Sequence, residues 1–369
     1  MRILHIITSL RTGGAERMVA DLLPCLKKHG EEVSLLLMDG TRTPLYEDLE
    51  KCGMAIDTLS IGWRAMRNPL LIFKLIRFLR KKHFDLVHTH NTSCQLMAAA
   101  ASLFIPRILI TTEHNTTNKR RACKAYKPID RWMYSRYHRI ACVGKETECA
   151  LLRYLPELDG KTITIVNGIN LDRYYKASSS SVLSNVPGFK ILMVAAFRAQ
   201  KDHASLIRAL GLLPDTYRLF LAGGSETPED EERFHSCQSL VRNLNLDNKV
   251  SFLGVRDDVP NLLAACDVAV LSSHYEGFGL AAVEAMASGK VLIASDVESL
   301  TTVVGGAGLL FPPGDAEKLA ALIRQVCENP DLAHEIGERC RKRAAQYDIA
   351  ETARKYRQLY DSIPALLEE

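Results

Sequence analysis

Two carboxylates with seven residues between them, Glu276 and Glu284, carry the most specific chemical signal in the chain. Ahead of Glu276 runs an apolar stretch, 268–271, that reads as a buried strand, followed by Ser272, Ser273 and His274. Behind it come Gly277, Phe278, Gly279 and Leu280, then an Ala/Val/Glu/Met segment of high helix propensity. A strand, a glycine-bounded loop and a helix start together favour an anion. The first amides of a helix have no partner within it, and its N-terminus carries about half a positive charge. Glycines at 277 and 279 let a ligand approach the backbone closely. Glu276 then lies at the mouth of the site and Glu284 on the second helical turn, so each can accept hydrogen bonds from its own set of hydroxyls, with a phosphate between them. Sugar, diphosphate and ribose follow that order in a nucleotide sugar. Two glutamates alone would read more simply as solvated charges on a parallel-sheet loop; the residues around them argue for more.

Other reactive side chains also gather where strands end. His88 and His90 close one apolar run and His114 another. Strand-end histidines are often structural, and a metal site would need converging geometry; no metal is assigned. Gly13 and Gly14 form a turn between the first strand and first helix, without the G-x-G-x-x-G spacing of a dinucleotide fingerprint. Arg198 and Lys201 follow a strand at 190–197, Gly223-Gly224-Ser225 ends another, and Arg256 sits in the loop 254–258.

The elements that must hold these groups are legible in the hydropathy pattern. Near-continuous apolar runs at 3–8, 32–38, 55–61, 85–90, 108–114, 139–144 and 162–168 alternate with helical patterns at about 15–28, 44–52, 69–82 and 94–103. Such alternation predicts a doubly wound parallel sheet. A serine-rich stretch, 176–188, ends in Pro-Gly and reads as an interdomain linker. The alternation then restarts, with strands at 190–197, 217–224, 249–254, 267–273, 291–295 and 308–311, and three helical stretches close the chain at 315–328, 330–346 and 349–366. The expected division is an N-terminal Rossmann-like domain over 1–175, joined by a returning helix over 349–369, and a C-terminal Rossmann-like domain over 189–348. Open α/β sheets bind ligands at the carboxyl ends of their strands, and the candidate groups mostly fall there.

Composition sets the outer bounds. The 369 residues suffice for two domains, and 47% apolar with 24% charged residues is an ordinary globular balance. Ten scattered cysteines without a C-x-x-C argue against a zinc or disulfide framework and for a reducing cytoplasm. No apolar run reaches the ~18 residues of a transmembrane helix. The net charge of +4 is mild, yet two stretches are strongly basic, 64–83 and 119–139. Each reads either as a core helix with a solvated basic face or as a peripheral face for anionic lipid or a lipid diphosphate. No nucleic-acid motif accompanies them.

The stretch from Glu276 to Glu284 resembles the E-x7-E signature of glycosyltransferase family 4, retaining enzymes of the GT-B fold, and the resemblance extends over nearly the whole chain. It implies two Rossmann-like parallel-sheet domains facing a cleft, with the last helix crossing back to the N-terminal domain through Tyr356, Leu359 and Tyr360. It further implies that the C-terminal domain holds a nucleotide-diphosphate sugar, with UDP as the expected nucleotide. Glu284 would take the ribose hydroxyls and Glu276 the donor sugar; the amides from Phe278, with Arg198 and Lys201, would take the diphosphate. Gly13 and Gly14 resemble the family's GGAE element, His114 its histidine near the transferred sugar, and the loops at Gly224 and Arg256 its nucleotide-lining loops. The sequence departs from the family pattern in two places. Ala196 stands where the commoner arrangement has its arginine, five residues before Lys201, and Thr302 stands where a glutamate is frequent. By the same resemblance the acceptor is a saccharide or lipid-linked saccharide, no cofactor or metal is needed, no nucleophile is assigned, and the enzyme works in the cytoplasm or at the inner face of the membrane. Competing readings are a nucleotide-sugar epimerase of the same architecture and a non-catalytic nucleotide-sugar-binding module.

Overall fold

A computed structural model describes residues 1–11, 13–62, 68–116, 120, 121 and 123–366. Two compact units divide it, one formed by residues 1–168 with 349–369 and the other by residues 169–348.

The first unit is built on seven parallel strands: β1 (Arg2–Ile7), β2 (Glu32–Asp39), β3 (Ala55–Ser60), β4 (Leu86–His90), β5 (Ile108–Glu113), β6 (Arg139–Cys142) and β7 (Thr162–Thr164). Their order across the sheet is β3-β2-β1-β4-β5-β6-β7, so the winding reverses between β1 and β4. The continuous apolar runs of β1, β2 and β4 are explained by burial on both faces. Ile3, Leu4, Ile7, Leu35, Leu36, Leu86 and Val87 are all fully buried. The helix Ile349–Leu366 returns to this unit and packs on the helix Gly14–Lys28, burying Tyr356, Leu359, Tyr360 and Ile363. The expectation for Tyr356, Leu359 and Tyr360 therefore holds.

The second unit repeats the plan with β8 (Phe189–Val194), β9 (Tyr217–Ala222), β10 (Val250–Gly254), β11 (Val268–Leu271), β12 (Val291–Ser295) and β13 (Leu309–Phe311). The order β10-β9-β8-β11-β12-β13 reverses between β8 and β11. At such a reversal the loops leaving two neighbouring strands diverge to opposite faces and open a crevice at their carboxyl ends.

The expected boundary needs correction. The chain passes from the first unit to the second at 168/169, not 175, and 176–188 is no free linker. Ser181–Ser184 forms a short helix against the helix Val259–Ala265, Leu183 is fully buried, and the Ser180 amide donates to the Asn261 carbonyl at 3.1 Å. One apolar side chain in a polar segment was enough to anchor it.

The basic stretches also sort themselves. In the helix Leu71–Lys81, Leu71, Leu75, Ile76 and Leu79 face the core while Lys74, Arg77 and Arg80 are exposed. Arg64 and Arg67 lie outside the described residues, as does Lys119. Within 119–139, Arg120 and Arg121 turn inward instead of adding to a basic face, pairing with Asp130 at 2.9 Å and Glu113 at 2.6 Å. Among the described residues no helix is long and apolar enough to cross a membrane.

Candidate active site

In the second unit the loops leaving β8 and β11 are stitched together before any ligand arrives. Ser272 Oγ donates toward the carbonyls of Lys201 (3.1 Å) and Asp202 (2.9 Å), and the His274 amide donates to the Gln200 carbonyl at 2.7 Å. Asp202 takes a left-handed conformation, φ 45°, and caps the helix His203–Gly211 through the Ser205 amide. This lacing holds Lys201 over the β11 loop. Its Nζ donates to Glu276 Oε1 at 2.5 Å, and Ser273 Oγ donates to the same oxygen at 2.7 Å. Both partners of the ion pair are largely buried, with side-chain exposures of 17% and 7%.

Glycines shape the rest of this crevice. Gly279 caps the helix Leu280–Ala287 at φ 93°, and a Cβ there would also meet Leu300 Cδ2 at 2.6 Å. Phe278 is buried edge-on against Tyr347. A Cβ on Gly223 would collide with the Ala195 carbonyl oxygen at 1.9 Å, so only glycine lets the β9 loop close on the β8 loop; the Phe197 amide then donates to the Gly224 carbonyl at 3.0 Å. Gly277 and Glu284 are half-buried. Arg198 reaches Glu226 at 3.1 Å, with both side chains substantially exposed. Arg256 is engaged by Asp258 through two hydrogen bonds, 2.8 and 2.9 Å, which raise the guanidinium above its usual range and lower the carboxyl below its own. Thr302 directs its hydroxyl to the Glu298 carbonyl within its own helix.

The first unit places a different chemistry at its own reversal. Gly13 caps the helix Gly14–Lys28, and a Cβ on it would strike Glu16 Oε2 at 2.2 Å. Asn91 follows β4 at φ 69° and ψ 147°, a conformation that an L-residue adopts only when held there. Its amide nitrogen donates to Thr8 Oγ1 at 3.3 Å and Glu16 Oε1 at 3.2 Å, tying the ends of β1 and β4 together. Next to it a cavity of about 230 Å³ is lined by Asn91, Thr92, Ser93, Gln95, Thr112, Glu113, His114 and Asn115. Behind His114 lie His90, His5 and His88, all fully buried. Burial drives every one of these imidazoles toward the neutral form, with neighbouring imidazoles adding to the effect at His88 and His90. His5 falls to about 3, His114 to about 4, and His88 and His90 lie well below the usual range.

His5, His88 and His90 bring one ligand atom each within 4.8 Å of the others. His88 lies on His90 with ring centroids 4.4 Å apart and planes 28° apart, whereas His5 and His90 are nearly coplanar, 12° apart, and meet edge to edge with His5 Nδ1 3.0 Å from His90 Nε2. Imidazole lone pairs lie in the ring plane, so the stacked His88 and His90 do not aim at one point, and the facing nitrogens of His5 and His90 are already engaged with each other.

Comparison with known proteins decides the family. Residues 12–173 match the model described as "Glycosyltransferase Family 4", and residues 176–343 match that described as "Glycosyl transferases group 1". The chain belongs to glycosyltransferase family 4. Among relatives of this glycosyltransferase is an Escherichia coli UDP-Gal:alpha-D-GlcNAc-diphosphoundecaprenol alpha-1,3-galactosyltransferase, 23% identical, with 98% of this chain and 96% of that one aligned. Another is a Campylobacter jejuni N,N'-diacetylbacillosaminyl-diphospho-undecaprenol alpha-1,3-N-acetylgalactosaminyltransferase, 26% identical over 93% of this chain and 94% of that one. The crystal structure of Anabaena HepE with UDP and glucose shares the GT-B fold at a TM-score of 0.86 and 22% identity, covering 98% of this chain and all of that one.

Sequence reasoning about this glycosyltransferase named Lys201 and Glu276 separately, and the structure brings them into contact. It also named Gly13, Gly14 and His114, which belong to the first unit. It passed over His5, hidden in an apolar strand, and Asn91, whose backbone no residue-type rule flags. Ser273 was seen only as a polar residue after a strand. The fixed alternation of strand residues offered one usable signal: Leu4-His5-Ile6 pairs in register with Val87-His88-Thr89, which puts His5 beside His88.

Proposed function

We propose that this glycosyltransferase moves a sugar from a UDP-sugar to a saccharide or lipid-linked saccharide, with retention of configuration and without a metal. The Lys201–Glu276 pair at the β8/β11 reversal carries the reading. It sets a cation and a carboxylate side by side near the start of the helix Leu280–Ala287, whose first amides favour phosphate. In this reading Lys201, Arg198 and the amides from Phe278 hold the diphosphate. Glu276 hydrogen-bonds the donor sugar, Glu284 takes the ribose hydroxyls, and Gly277, Gly279 and Leu280 shape the phosphate loop. Gly224 and the Arg256 loop line the nucleotide. Cations at the departing phosphate stabilise developing charge, the role a metal ion fills in other transferases.

The step we infer is a front-face exchange. The bond from the sugar's anomeric carbon to the phosphate oxygen breaks, and the acceptor oxygen bonds to the same face. The acceptor's hydroxyl proton passes to the departing phosphate oxygen. No protein nucleophile takes part. Gly13 and Gly14 serve the donor diphosphate or the acceptor, and His114 the transferred sugar. The names of the Escherichia coli and Campylobacter jejuni relatives, both acting on undecaprenol-linked sugars, support a lipid-linked acceptor here. Such a substrate suits contact with an anionic membrane, and Leu70, Phe73, Leu103 and Phe104 are exposed in the unit that also exposes Lys74, Arg77 and Arg80.

The test is a thermal-shift panel of UDP, GDP, ADP and their sugars, with and without EDTA, on wild type and Glu284→Ala. A ligand at a hundred times its Kd adds about 2.7 kcal/mol to native stability. The expected result is stabilisation of wild type by UDP compounds, unchanged by EDTA and lost in the variant. Stabilisation only in the presence of a divalent metal overturns the metal-free site; stabilisation by GDP or ADP alone overturns the choice of donor.

A further inference from the structure

The buried histidines of the first unit form a single file of hydrogen bonds with one open end. Tyr356 OH meets Thr112 Oγ1 at 2.9 Å, and Thr112 Oγ1 meets His88 Nε2 at 2.8 Å. His88 Nδ1 meets Tyr360 OH at 2.8 Å, and Tyr360 OH reaches His5 Nε2 at 3.5 Å. His5 Nδ1 meets His90 Nε2 at 3.0 Å, and His90 Nδ1 meets His114 Nε2 at 3.2 Å. Only His114 Nδ1 then remains, on a residue that lines the cavity after β4 and β5.

Proton counting fixes the direction of this file. A neutral imidazole has one N–H and one bare nitrogen, and a hydroxyl donates once. Thr112 is the sole hydrogen-bond partner of the fully buried Tyr356 hydroxyl among the described residues. A buried phenol that did not donate would leave its proton without an acceptor, at the full desolvation penalty. Tyr356 therefore donates to Thr112, Thr112 to His88 Nε2, and His88 Nδ1 to Tyr360. Tyr360 donates to His5 Nε2, His5 Nδ1 to His90 Nε2, and His90 Nδ1 to His114 Nε2. Each link has its one proton, no group is charged, and the last proton rests on His114 Nδ1.

We propose that this relay, anchored on the helix Ile349–Leu366, holds His114 as the neutral Nδ1–H tautomer and presents it as a hydrogen-bond donor to a hydroxyl oxygen of the sugar substrate. The choice runs against the preference of imidazole in water, which favours a proton on Nε2. It is set by the bond the other nitrogen makes. Gln95 lines the same cavity; its Nε2 donates to Thr111 and Glu113, and its Oε1 is buried without a partner among the described residues. A neutral donor in a cavity complements a hydroxyl oxygen, which accepts without the desolvation cost of an ion. Tyr356, Tyr360, His88, His5 and His90 are positioning residues in this scheme. The substrate contact rests on the role given to His114 above; the tautomer does not.

The experiment is nitrogen-15 NMR of histidine-labelled full chain at neutral pH, with wild type, Tyr356→Phe, Tyr360→Phe and Arg357→Gln. Arg357 lies on the same helix but pairs with Glu31, outside the relay. We expect His114 protonated on Nδ1 in wild type and in Arg357→Gln, and shifted toward Nε2–H in both tyrosine variants. An Nε2–H tautomer in wild type, or no shift in either tyrosine variant, overturns the relay. So does a stoichiometric metal in the purified protein that His88→Gln removes. For turnover, asparagine places its amide N–H near the position of imidazole Nδ1 and glutamine near Nε2. His114→Asn should therefore retain about fivefold more kcat than His114→Gln, the worth of one neutral hydrogen bond. The reverse order refutes donation from Nδ1. Wild-type turnover in both, with the tautomer as expected, removes His114 from the reaction and leaves the relay standing.

Discussion

The two sheet reversals share one topology and hold opposite chemistry. At β8/β11 the groups are ionic: Lys201 and Glu276 meet as a salt bridge, and Arg198 is paired with the carboxylate of Glu226. At β1/β4 a file of imidazoles and hydroxyls carries no charge, and the carboxylates beside it, Glu16 and Glu113, are taken up by Asn91 and by Arg121. One fold element thus serves two polarities, and the difference arises from what each loop puts next to the strand ends. A charged crevice suits a ligand that brings its own charge, and a neutral one suits hydroxyls, which it can orient without paying for ion desolvation.

Substitutions at the two places should differ in size accordingly. Lys201→Ala should lower kcat/KM about 10²- to 10³-fold, the cost of removing one preorganised charge stabiliser. His114→Gln should lower it only about tenfold, the cost of a neutral contact. Steady-state assays with one donor and acceptor pair check both, and equal losses would break the contrast.

Acid separates the units without any substrate. His5, His88, His90 and His114 have folded-state values far below the ordinary 6.5. Unfolded chain therefore binds protons that the folded unit refuses, so stability is complete above about pH 6.5 and declines as pH falls toward 4 and 3. The slope is about 1.4 kcal/mol per pH unit for each imidazole still unprotonated. The second unit has His203, lowered to about 4, to set against them. Trp132 lies in the first unit and the second contains no tryptophan, so tryptophan fluorescence should report unfolding at a higher pH than far-ultraviolet circular dichroism of the whole chain.

Smaller effects sharpen the ionic side. Glu276→Leu strands Lys201 in a buried place and should cost about 3 kcal/mol in urea unfolding, whereas adding Lys201→Met should recover most of it. Gly279→Ala forces a Cβ into the left-handed region and onto Leu300, and should cost about 2 kcal/mol. Arg198→Ala should change stability by less than about 0.5 kcal/mol, because its partner Glu226 is exposed as well.

Which of these features could be read in advance follows from the range of the interaction that makes them. Strands were legible because both faces are buried, so apolar runs stand unbroken in sequence. The Glu276–Glu284 loop was legible because its parts are neighbours. The Lys201–Glu276 contact was not, since 75 positions separate the pair and only the strand order joins them. His5 and His88 were harder, because the relay needs strand register together with Tyr360, which lies 272 positions from His88. The serine-rich stretch misled by composition: a single leucine, Leu183, outweighed the polar residues around it.

The return of the helix Ile349–Leu366 to the first unit also sets a timetable. The second unit is an insertion, complete in sequence at Asp348, whereas the first waits for a segment that follows it in the chain. During synthesis the second unit can fold as soon as it leaves the ribosome. Until Tyr356 and Tyr360 arrive, His88 Nδ1 and Thr112 Oγ1 each lack one hydrogen-bond partner. A chain cut shortly before residue 349 would hold one finished unit and one still open, a species for chaperones to recognise.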